Sequence, residues 1–254
     1  MSEPFDDEPV LKPSELVTYR RLNGQLPDFP PPRTVIFVPQ RSLSDAVLRR
    51  HTTRHIHGFL GEFHLLKRTN GQIALSMGFG IGAPVIAGLT DEFAAIGIRQ
   101  FVLIGMAGGI QPELTTGSLI LCTRAIRGEG VSGHYLPLFP TVDSSEPMTR
   151  GIGSILTRSN HAYTTGVTWT TDTPFRERRR DVLDYQKQGV LAVDMEAAAL
   201  LAVARSQGLE AAAVFAIADQ LSDGHWRMAN DLRPAQKGLS VLFEAVLEYL
   251  GGYK

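Results

Sequence analysis

A chain of 254 residues, 43% of them hydrophobic, can bury a large core, and because no linker divides it we expect one α/β domain. Its 25 Lys and Arg residues balance 26 Asp and Glu residues, which argues against a nucleic-acid or membrane partner and favours a small neutral or mildly anionic ligand. The single cysteine, Cys122, has no disulfide partner, and no stretch resembles a signal peptide or a membrane span, so we expect a cytoplasmic protein.

Prolines are concentrated in residues 1–33, where they remove backbone hydrogen-bond donors, and we expect an extended arm over the surface. The β-branched and aromatic run Thr34–Val38 then predicts a strand, and residues 42–50 predict a helix. Residues 34–254 are therefore expected to form the folded domain.

The clearest pattern is a strand at residues 73–77, a glycine-containing turn, a helix that ends at Gly97, and a strand at residues 101–104. This order predicts parallel strands joined by a right-handed crossover. The spacing of the glycines at 78, 80 and 82 matches that of a dinucleotide-binding turn. Such a turn also needs an acid near the end of the following strand, and glycines stand there instead. A tight turn, or a turn that closes over a smaller ligand, is favoured.

The second half of the chain predicts three more strands and two helices. The strands fall at residues 119–122, 165–169 and 212–218, and the helices at residues 195–206 and 232–250. Apolar residues of the last helix recur at helical spacing, so one face should pack on the domain. The sequence thus predicts a central mixed, largely parallel β-sheet flanked by helices.

Acids and glycines at predicted strand ends are the candidates for chemistry. Gly108 and Gly109 either leave room for a ligand at the carboxyl end of a central strand or form a tight turn. Asp194 and Glu196 lie between apolar runs, where they either accept hydrogen bonds from sugar hydroxyls or only complement the dipole of a following helix. Asp219 ends an apolar strand, which suits a general acid.

No metal site is predicted from the histidines. His55 and His57 would point to opposite faces of a strand, and no cysteine or carboxylate completes a set of zinc ligands. The basic run at residues 176–180 is typical of a solvated helix start, although Arg176 is close enough to the preceding loop to reach a ligand.

Taken together, five motifs in a fixed order resemble the purine nucleoside phosphorylase and uridine phosphorylase family, which also contains nucleosidases that use water in place of phosphate. The similarity runs from about Thr34 to Leu250, and the order makes it specific. The motifs are Gly78-Phe79-Gly80-Ile81-Gly82, Ile104-Gly105-Met106-Ala107-Gly108-Gly109-Ile110-Gln111-Pro112, Thr171-Asp172-Thr173-Pro174-Phe175-Arg176, Val193-Asp194-Met195-Glu196-Ala197 and Ala218-Asp219.

The resemblance implies which residues bind the nucleoside and the phosphate. Glu196 would hold the ribose hydroxyls with Met195 under the sugar, and Asp219 would protonate the purine ring as the glycosidic bond breaks. The other nucleoside-binding residues would be Asp194, Ala107, Gly108, Phe175 and Arg176. Phosphate would be bound by Arg54 of a neighbouring subunit together with Gly80 and Met106, and Arg41 could supply a second positive charge.

The chain departs from the family pattern mainly on the phosphate side. Leu103 and Met106 stand where family phosphorylases have an Arg and a Ser or Thr on phosphate. A loop of Pro39-Gln40-Arg41-Ser42 replaces the glycine-containing loop after the first strand, and Gln40 takes the place of a Glu that activates water in the hydrolytic branch. Asp194 replaces the first acid of the family's Glu-Met-Glu element.

Three hypotheses follow from the resemblance. A phosphorylase would convert a purine nucleoside and its co-substrate, inorganic phosphate, to free base and sugar 1-phosphate in purine salvage or nucleoside catabolism, without a further cofactor. A nucleosidase of the same family would use water instead, and a catalytically silent relative would only bind a nucleoside. A site that borrows Arg54 from a neighbour also implies a homo-oligomer, dimer-based and possibly hexameric.

Overall fold

In the computed structural model, which describes residues 8–137 and 139–251, one eleven-stranded sheet carries helices on both faces. The strands are β1 Thr34–Val38, β2 Thr53–Ile56, β3 Glu62–Leu66, β4 Ile73–Met77, β5 Gln100–Gly109, β6 Leu119–Gly128, β7 Thr141–Asp143, β8 Thr164–Thr171, β9 Ala192–Asp194, β10 Glu210–Gln220 and β11 Arg227–Met228. The α-helices are α1 Pro13–Leu22, α2 Arg41–Arg50, α3 Ala83–Ala95, α4 Glu146–Arg158, α5 Arg179–Lys187, α6 Ala197–Ser206 and α7 Arg233–Tyr249.

The strand order is β11-β10-β6-β8-β9-β5-β1-β4-β3-β2, with β7 paired to β6. Strands β4, β1, β5 and β10 run parallel to one another at the centre, and antiparallel strands complete both sides. Because β10 also pairs with β5, the strands β5, β10, β6, β8 and β9 close into a ring. The predicted mixed α/β sheet is confirmed, and its parallel part brings several strand ends to one edge.

Two apolar layers hold the helices to the sheet. Helices α1, α3 and α6 pack on one face, and α2, α4 and α7 pack on the other. Helix α6 is buried along residues 197–204 because alanine and leucine side chains allow close contact all round. Removing this apolar area from water is the main favourable contribution to folding. A third, smaller cluster around Trp169, Val193 and Leu221 lies between the sheet and α5.

The predicted extended arm is wrong in its central part, because residues 13–22 form helix α1. Pro13 stands in the first turn, where a missing backbone N–H costs nothing, and the other prolines lie outside the helix. Arg20 joins α1 to α3 through a bidentate ion pair with Glu92, whose shorter N–O distance is 2.5 Å. Residues 1–7 of the arm lie outside the described residues.

The sole cysteine lies in the wall of the strand ring. The Cys122 side chain, on β6, is fully buried, and its Sγ lies 3.3 Å from Thr168 Oγ1 on β8. Burial raises the pKa of the Cys122 thiol to about 12. Among the residues that the structure describes, no helix is both long and apolar enough to span a bilayer.

Candidate active site

A cavity of about 620 Å³ opens where the parallel strands β1, β5 and β10 end. Ligands in open α/β sheets gather at such carboxyl ends. The cavity is bounded by strand ends, by the start of α6 and by the segments before α5 and after β10. Its lining residues are Gln40, Ile81, Met106, Ala107, Gly108, Pro174, Phe175, Glu177, Arg179, Val182, Val193, Asp194, Met195, Glu196, Ala218, Asp219, Leu221, Gly224 and Trp226.

Glu196 is fixed on one side of the cavity by the turn after β4. The backbone N–H of Gly82 donates a 2.7 Å hydrogen bond to Glu196 Oε1. Gly82 has φ of +104°, a conformation that favours glycine, so the turn presents its N–H at little cost. Burial, and next the charge of Asp194, raise the pKa of Glu196 to about 7. A polar ligand group that donates to this carboxylate would offset part of the cost of burying it.

Asp194 is committed to the start of helix α6. Its Oδ1 accepts hydrogen bonds from the backbone N–H groups of Glu196 and Ala197, at 2.9 and 2.8 Å, and from Thr170 Oγ1 at 3.0 Å. These bonds satisfy donors that the first helical turn leaves unpaired. Burial nevertheless raises the pKa of Asp194 to about 6, and Oδ2 has no partner among the described residues. The helix-start interpretation therefore holds for Asp194, which also lines the cavity.

Asp219 reaches the cavity through a β-bulge. Ile217 opposes Ala107 and Asp219 opposes Gly108, so Ala218 is an extra residue in β10. A bulge changes the face that the next side chain takes, so Ile217 packs in the core while Asp219 lines the cavity. The indole Nε1–H of Trp226 donates a 2.6 Å hydrogen bond to Asp219 Oδ2.

A second carboxyl group, Glu177, lies near Asp219. It follows a turn of 3-10 helix at Pro174–Arg176 and lines the cavity just before α5. Burial, and next the charge of Asp219, raise the pKa of Glu177 to about 7. Phe175, 98% exposed, and Trp226, 66% exposed, are bulky aromatics at the rim of the same side.

On the β1 side, the cavity wall consists of Gln40 and Met106. Gln40 Oε1 is buried and has no partner among the described residues. Arg41 points away, with a side chain 93% exposed and 3.8 Å from Asp45 Oδ2, and Arg54 lies exposed on the edge strand β2. Arg179, the one cation among the described lining residues, packs its stem against Gly224 near the Asp219 side.

The structure brings eight of the predicted site residues to this cavity: Asp219, Met195, Glu196, Asp194, Ala107, Gly108, Phe175 and Met106. Four others, namely Arg41, Arg54, Arg176 and Gly80, are exposed and do not line it within this chain. The cavity is also lined by Glu177, Arg179, Leu221 and Trp226, which no sequence motif predicts as site residues. The sequence signal for Glu177 is an acid inside a run of arginines, a pattern that is typical of a solvated helix start.

The fold and the cavity together define an α/β protein with a cavity at the ends of parallel strands that is lined by four carboxyl groups. A family model described as the Phosphorylase superfamily matches residues 42–250, and the chain belongs to this superfamily of nucleoside phosphorylases and nucleosidases.

Individual relatives agree with this assignment. Uridine phosphorylase of Escherichia coli is 34% identical over 161 residues, which cover 57% of this chain and 63% of the relative. Guanosine phosphorylase of Halorubrum lacusprofundi is 28% identical over 152 residues, which cover 59% of this chain and 63% of the relative. The matched part thus spans less than two thirds of either relative.

A solved structure shares the fold. AMP nucleosidase from Bacteroides thetaiotaomicron superimposes with a TM-score of 0.72 at 23% sequence identity, over 94% of this chain and all of that one. The phosphorylase-like fold predicted from the sequence is therefore confirmed.

Proposed function

We propose that this protein cleaves the N-glycosidic bond of a purine nucleoside with inorganic phosphate, which gives the free base and a sugar 1-phosphate. The observation that carries the proposal is the placement of Glu196 and Asp219 in one cavity of about 620 Å³, a volume suited to a small-molecule ligand. Glu196 is anchored by the Gly82 N–H and Asp219 by the Trp226 indole, so both carboxyl groups are held in place before substrate binds.

Each carboxyl group suits one half of a nucleoside. Glu196 accepts hydrogen bonds from ribose hydroxyls, with the Met195 side chain under the sugar ring. As the bond between C1′ and the base breaks, its electron pair stays on the base and the sugar becomes oxocarbenium-like. Asp219 then delivers a proton to the base, and an anion on the other face of the sugar stabilises the positive charge.

Phosphate would approach from the side of Gln40 and Met106. The Gln40 amide can donate a hydrogen bond to it, and the exposed Arg54 on edge strand β2 is free to enter the site of a neighbouring subunit. Names of relatives support phosphorolysis, since two of them are phosphorylases. A purine is favoured over uracil because an acid at the base side can protonate a ring nitrogen of the leaving purine. We expect a homo-oligomer, because only a neighbour brings this arginine to the sugar.

Hydrolysis is the second candidate, and one observation favours it. The described residues on the β1 side of the cavity include no cation, and Gln40 and Met106 can surround a water molecule as well as a phosphate. AMP nucleosidase, which shares the fold, is named for a reaction of the hydrolytic type.

A nucleoside panel assayed with and without phosphate separates the candidates. We expect release of base from inosine and guanosine, little release from uridine, and sugar 1-phosphate as the second product only when phosphate is present. Base release at the same rate without phosphate would replace phosphorolysis by hydrolysis. Binding of nucleosides without turnover would instead indicate a catalytically silent relative.

A further inference from the structure

Arg179, the first residue of helix α5, is a cation of the cavity that has no carboxylate partner. Its neighbours in the basic run are paired, since Arg178 donates to Asp181 at 2.7 Å and Arg180 lies 3.7 Å from the same carboxyl group. Among the residues that the structure describes, Arg179 has no ion-pair partner within 4.0 Å. One of these three arginines is therefore available to a ligand in the cavity.

The stem of the Arg179 side chain is positioned by a glycine. A Cβ on Gly224 would stand 2.4 Å from Arg179 Cγ and 3.0 Å from Arg179 Nε, so the stem crosses directly over the glycine backbone. Gly224 has φ of +68°, a conformation that favours glycine, and its N–H donates a 3.1 Å hydrogen bond to the carbonyl oxygen of Leu221. Because Gly224 and Leu221 both line the cavity, this packing brings Arg179 to the cavity wall.

Arg179 packs on the same short segment that contributes Asp219 to the cavity. This segment, residues 219–226, runs from the end of β10 to the start of β11. Its cavity-lining residues are Asp219, Leu221, Gly224 and Trp226. Gln40 and Met106, from whose side phosphate would approach, belong to the segments that follow β1 and form β5. The proposed function places the base at Asp219, so the guanidinium of Arg179 belongs to the base end of the site.

The chemistry of a guanidinium group selects the kind of base that it can bind. The group carries hydrogen-bond donors only, and it stays charged at neutral pH. One edge of a purine presents ring nitrogen N7 and the substituent on C6 side by side. In guanine, and likewise in hypoxanthine, this substituent is an oxygen that accepts hydrogen bonds, whereas in adenine it is an amino group that donates them. Arg179 can therefore donate to a 6-oxopurine but would face another donor in adenine.

We infer that Arg179 is a specificity-determining residue that donates a hydrogen bond to O6 of a 6-oxopurine, beside the ring nitrogen assigned to Asp219. The inference rests on the proposed nucleoside cleavage and names its substrate class, the nucleosides of hypoxanthine and guanine. When the bond between C1′ and N9 breaks, its electron pair stays on the purine and is delocalised in part onto O6. The guanidinium stabilises this negative charge without giving up a proton.

Arg179→Met in the full chain tests the inference with nucleosides that differ in the substituent on C6. Methionine keeps an unbranched stem over Gly224 but removes the charge and the donors. Inosine has an oxygen on C6, and purine riboside has only hydrogen. We expect kcat/KM of the variant to fall roughly ten- to hundredfold for inosine, the usual cost of losing a hydrogen bond to a charged group, and to stay close to wild type for purine riboside. Equal loss on both nucleosides, or a raised KM for phosphate as the only change, would overturn the inference.

A matched control comes from the next residue of α5. Arg180 is paired with Asp181 and is not among the described lining residues of the cavity. In Arg180→Met, the ratio of kcat/KM for inosine to that for purine riboside should therefore equal the wild-type ratio.

Binding of free bases, measured by calorimetry, gives a second readout that needs no turnover. Hypoxanthine should bind the wild type more tightly than purine does, and Arg179→Met should remove this difference. If the difference is found in a protein that cleaves no nucleoside, the proposed function fails while the role of Arg179 in base binding stands. If nucleosides are cleaved but binding of hypoxanthine does not depend on Arg179, only the role of Arg179 is refuted.

Discussion

Asp194 and Glu196 are buried acids that folding places in an unfavourable environment. Burial raises the pKa of both carboxyl groups, to about 6 and about 7. A raised pKa means that the folded state binds protons that the unfolded state has already released, so the ligand-free protein loses stability as pH rises. Burying these two carboxylates therefore lowers the stability of the ligand-free protein, and it leaves them in position to accept hydrogen bonds from a ligand.

We predict that the ligand-free protein is more stable near pH 5 than near pH 8, as far as these groups determine it. The contribution of Glu196 is complete below its unfolded value of 4.5 and is lost as pH rises to about 7. It is on the order of 3–4 kcal/mol over the full shift, at about 1.4 kcal/mol for each unit of pKa. Thermal unfolding at both pH values, in wild type and Glu196→Gln, measures it. The variant should show a smaller pH dependence, and an unchanged dependence would contradict this account.

Asp219→Asn should abolish most purine cleavage, because an amide cannot give the base a proton. Loss of one general acid typically costs about 10²–10⁴ in rate, and substrate binding should change much less. Steady-state kinetics with an ordinary purine nucleoside measure both. Asp223→Asn, four residues along the chain and exposed, is the matched control. Purine cleavage that survives Asp219→Asn would show that the proton has another source.

The last residues of strand β5 form the floor of the cavity. Gly108 lies between Leu221 and Val193, and a Cβ on it would stand 2.4 Å from Leu221 Cδ1 and 3.2 Å from Val193 Cγ1. An added methyl group at this position would therefore require the Leu221 side chain to move. The glycines at this strand end are therefore part of a continuous strand and not of a loop, as β5 extends to Gly109.

Gly108→Ala should destabilise the protein by about 1–3 kcal/mol, the usual cost of overpacking, and lower activity by moving Leu221 and Asp219. Gly88→Ala is the matched substitution, since Gly88 lies in helix α3 with nothing within 4 Å of an added Cβ. There, alanine should raise stability by roughly 0.5–1 kcal/mol. Urea unfolding gives the free energy of unfolding of both variants. An unchanged free energy in Gly108→Ala would contradict the prediction and would mean that the Leu221 side chain moves aside at little cost.

Elements with strong local patterns were predictable from the sequence. Strands β1 and β4 have the predicted limits, and α3 and α7 differ from theirs by one or two residues, because apolar periodicity and glycine or proline boundaries determine them. Helix α1 was missed since its stability depends on long-range contacts such as the ion pair between Arg20 and Glu92. The hairpin of β2 and β3 and the three-residue β9 are stabilised mainly by neighbouring strands.

The residues of the candidate site also fall into those that the sequence predicts and those that it does not. Glu196 and Asp219 were predictable because each follows an apolar run and matches a family motif. Trp226 and Glu177 were not, since they lie in irregular segments that the fold brings together from positions about 50 residues apart in the chain. The bulge at Ala218, which directs Asp219 into the cavity, has no sequence signature of its own.

At the level of the whole molecule, the proposed phosphorolysis together with the arrangement of charges implies that one chain does not complete the phosphate-binding part of the site. Four carboxyl groups line the cavity, whereas Arg54 lies on the edge strand β2, away from it. An edge strand is a natural place for contact with a second copy. We therefore predict a shared site in which each subunit supplies Arg54 to its neighbour.

Complementation between two inactive variants tests the shared site. Arg54→Ala and Glu196→Gln should each lose phosphorolysis, but a co-expressed mixture should recover about a quarter of wild-type activity, because half of randomly formed dimers contain one intact site of two. Arg49→Ala, an exposed arginine on α2, serves as the control and should remain active. A mixture no more active than its components would place the whole site within one subunit.

The burial of Cys122 has a practical consequence for following ligand binding to this protein. With a thiol pKa of about 12, the side chain carries almost no thiolate at neutral pH and is closed to alkylating reagents. The wild-type chain should therefore not react with cysteine-directed labels. Phe175→Cys would introduce the one reactive thiol, at a rim position 98% exposed in the wild type. A dye attached there would report ligand binding to the cavity in real time.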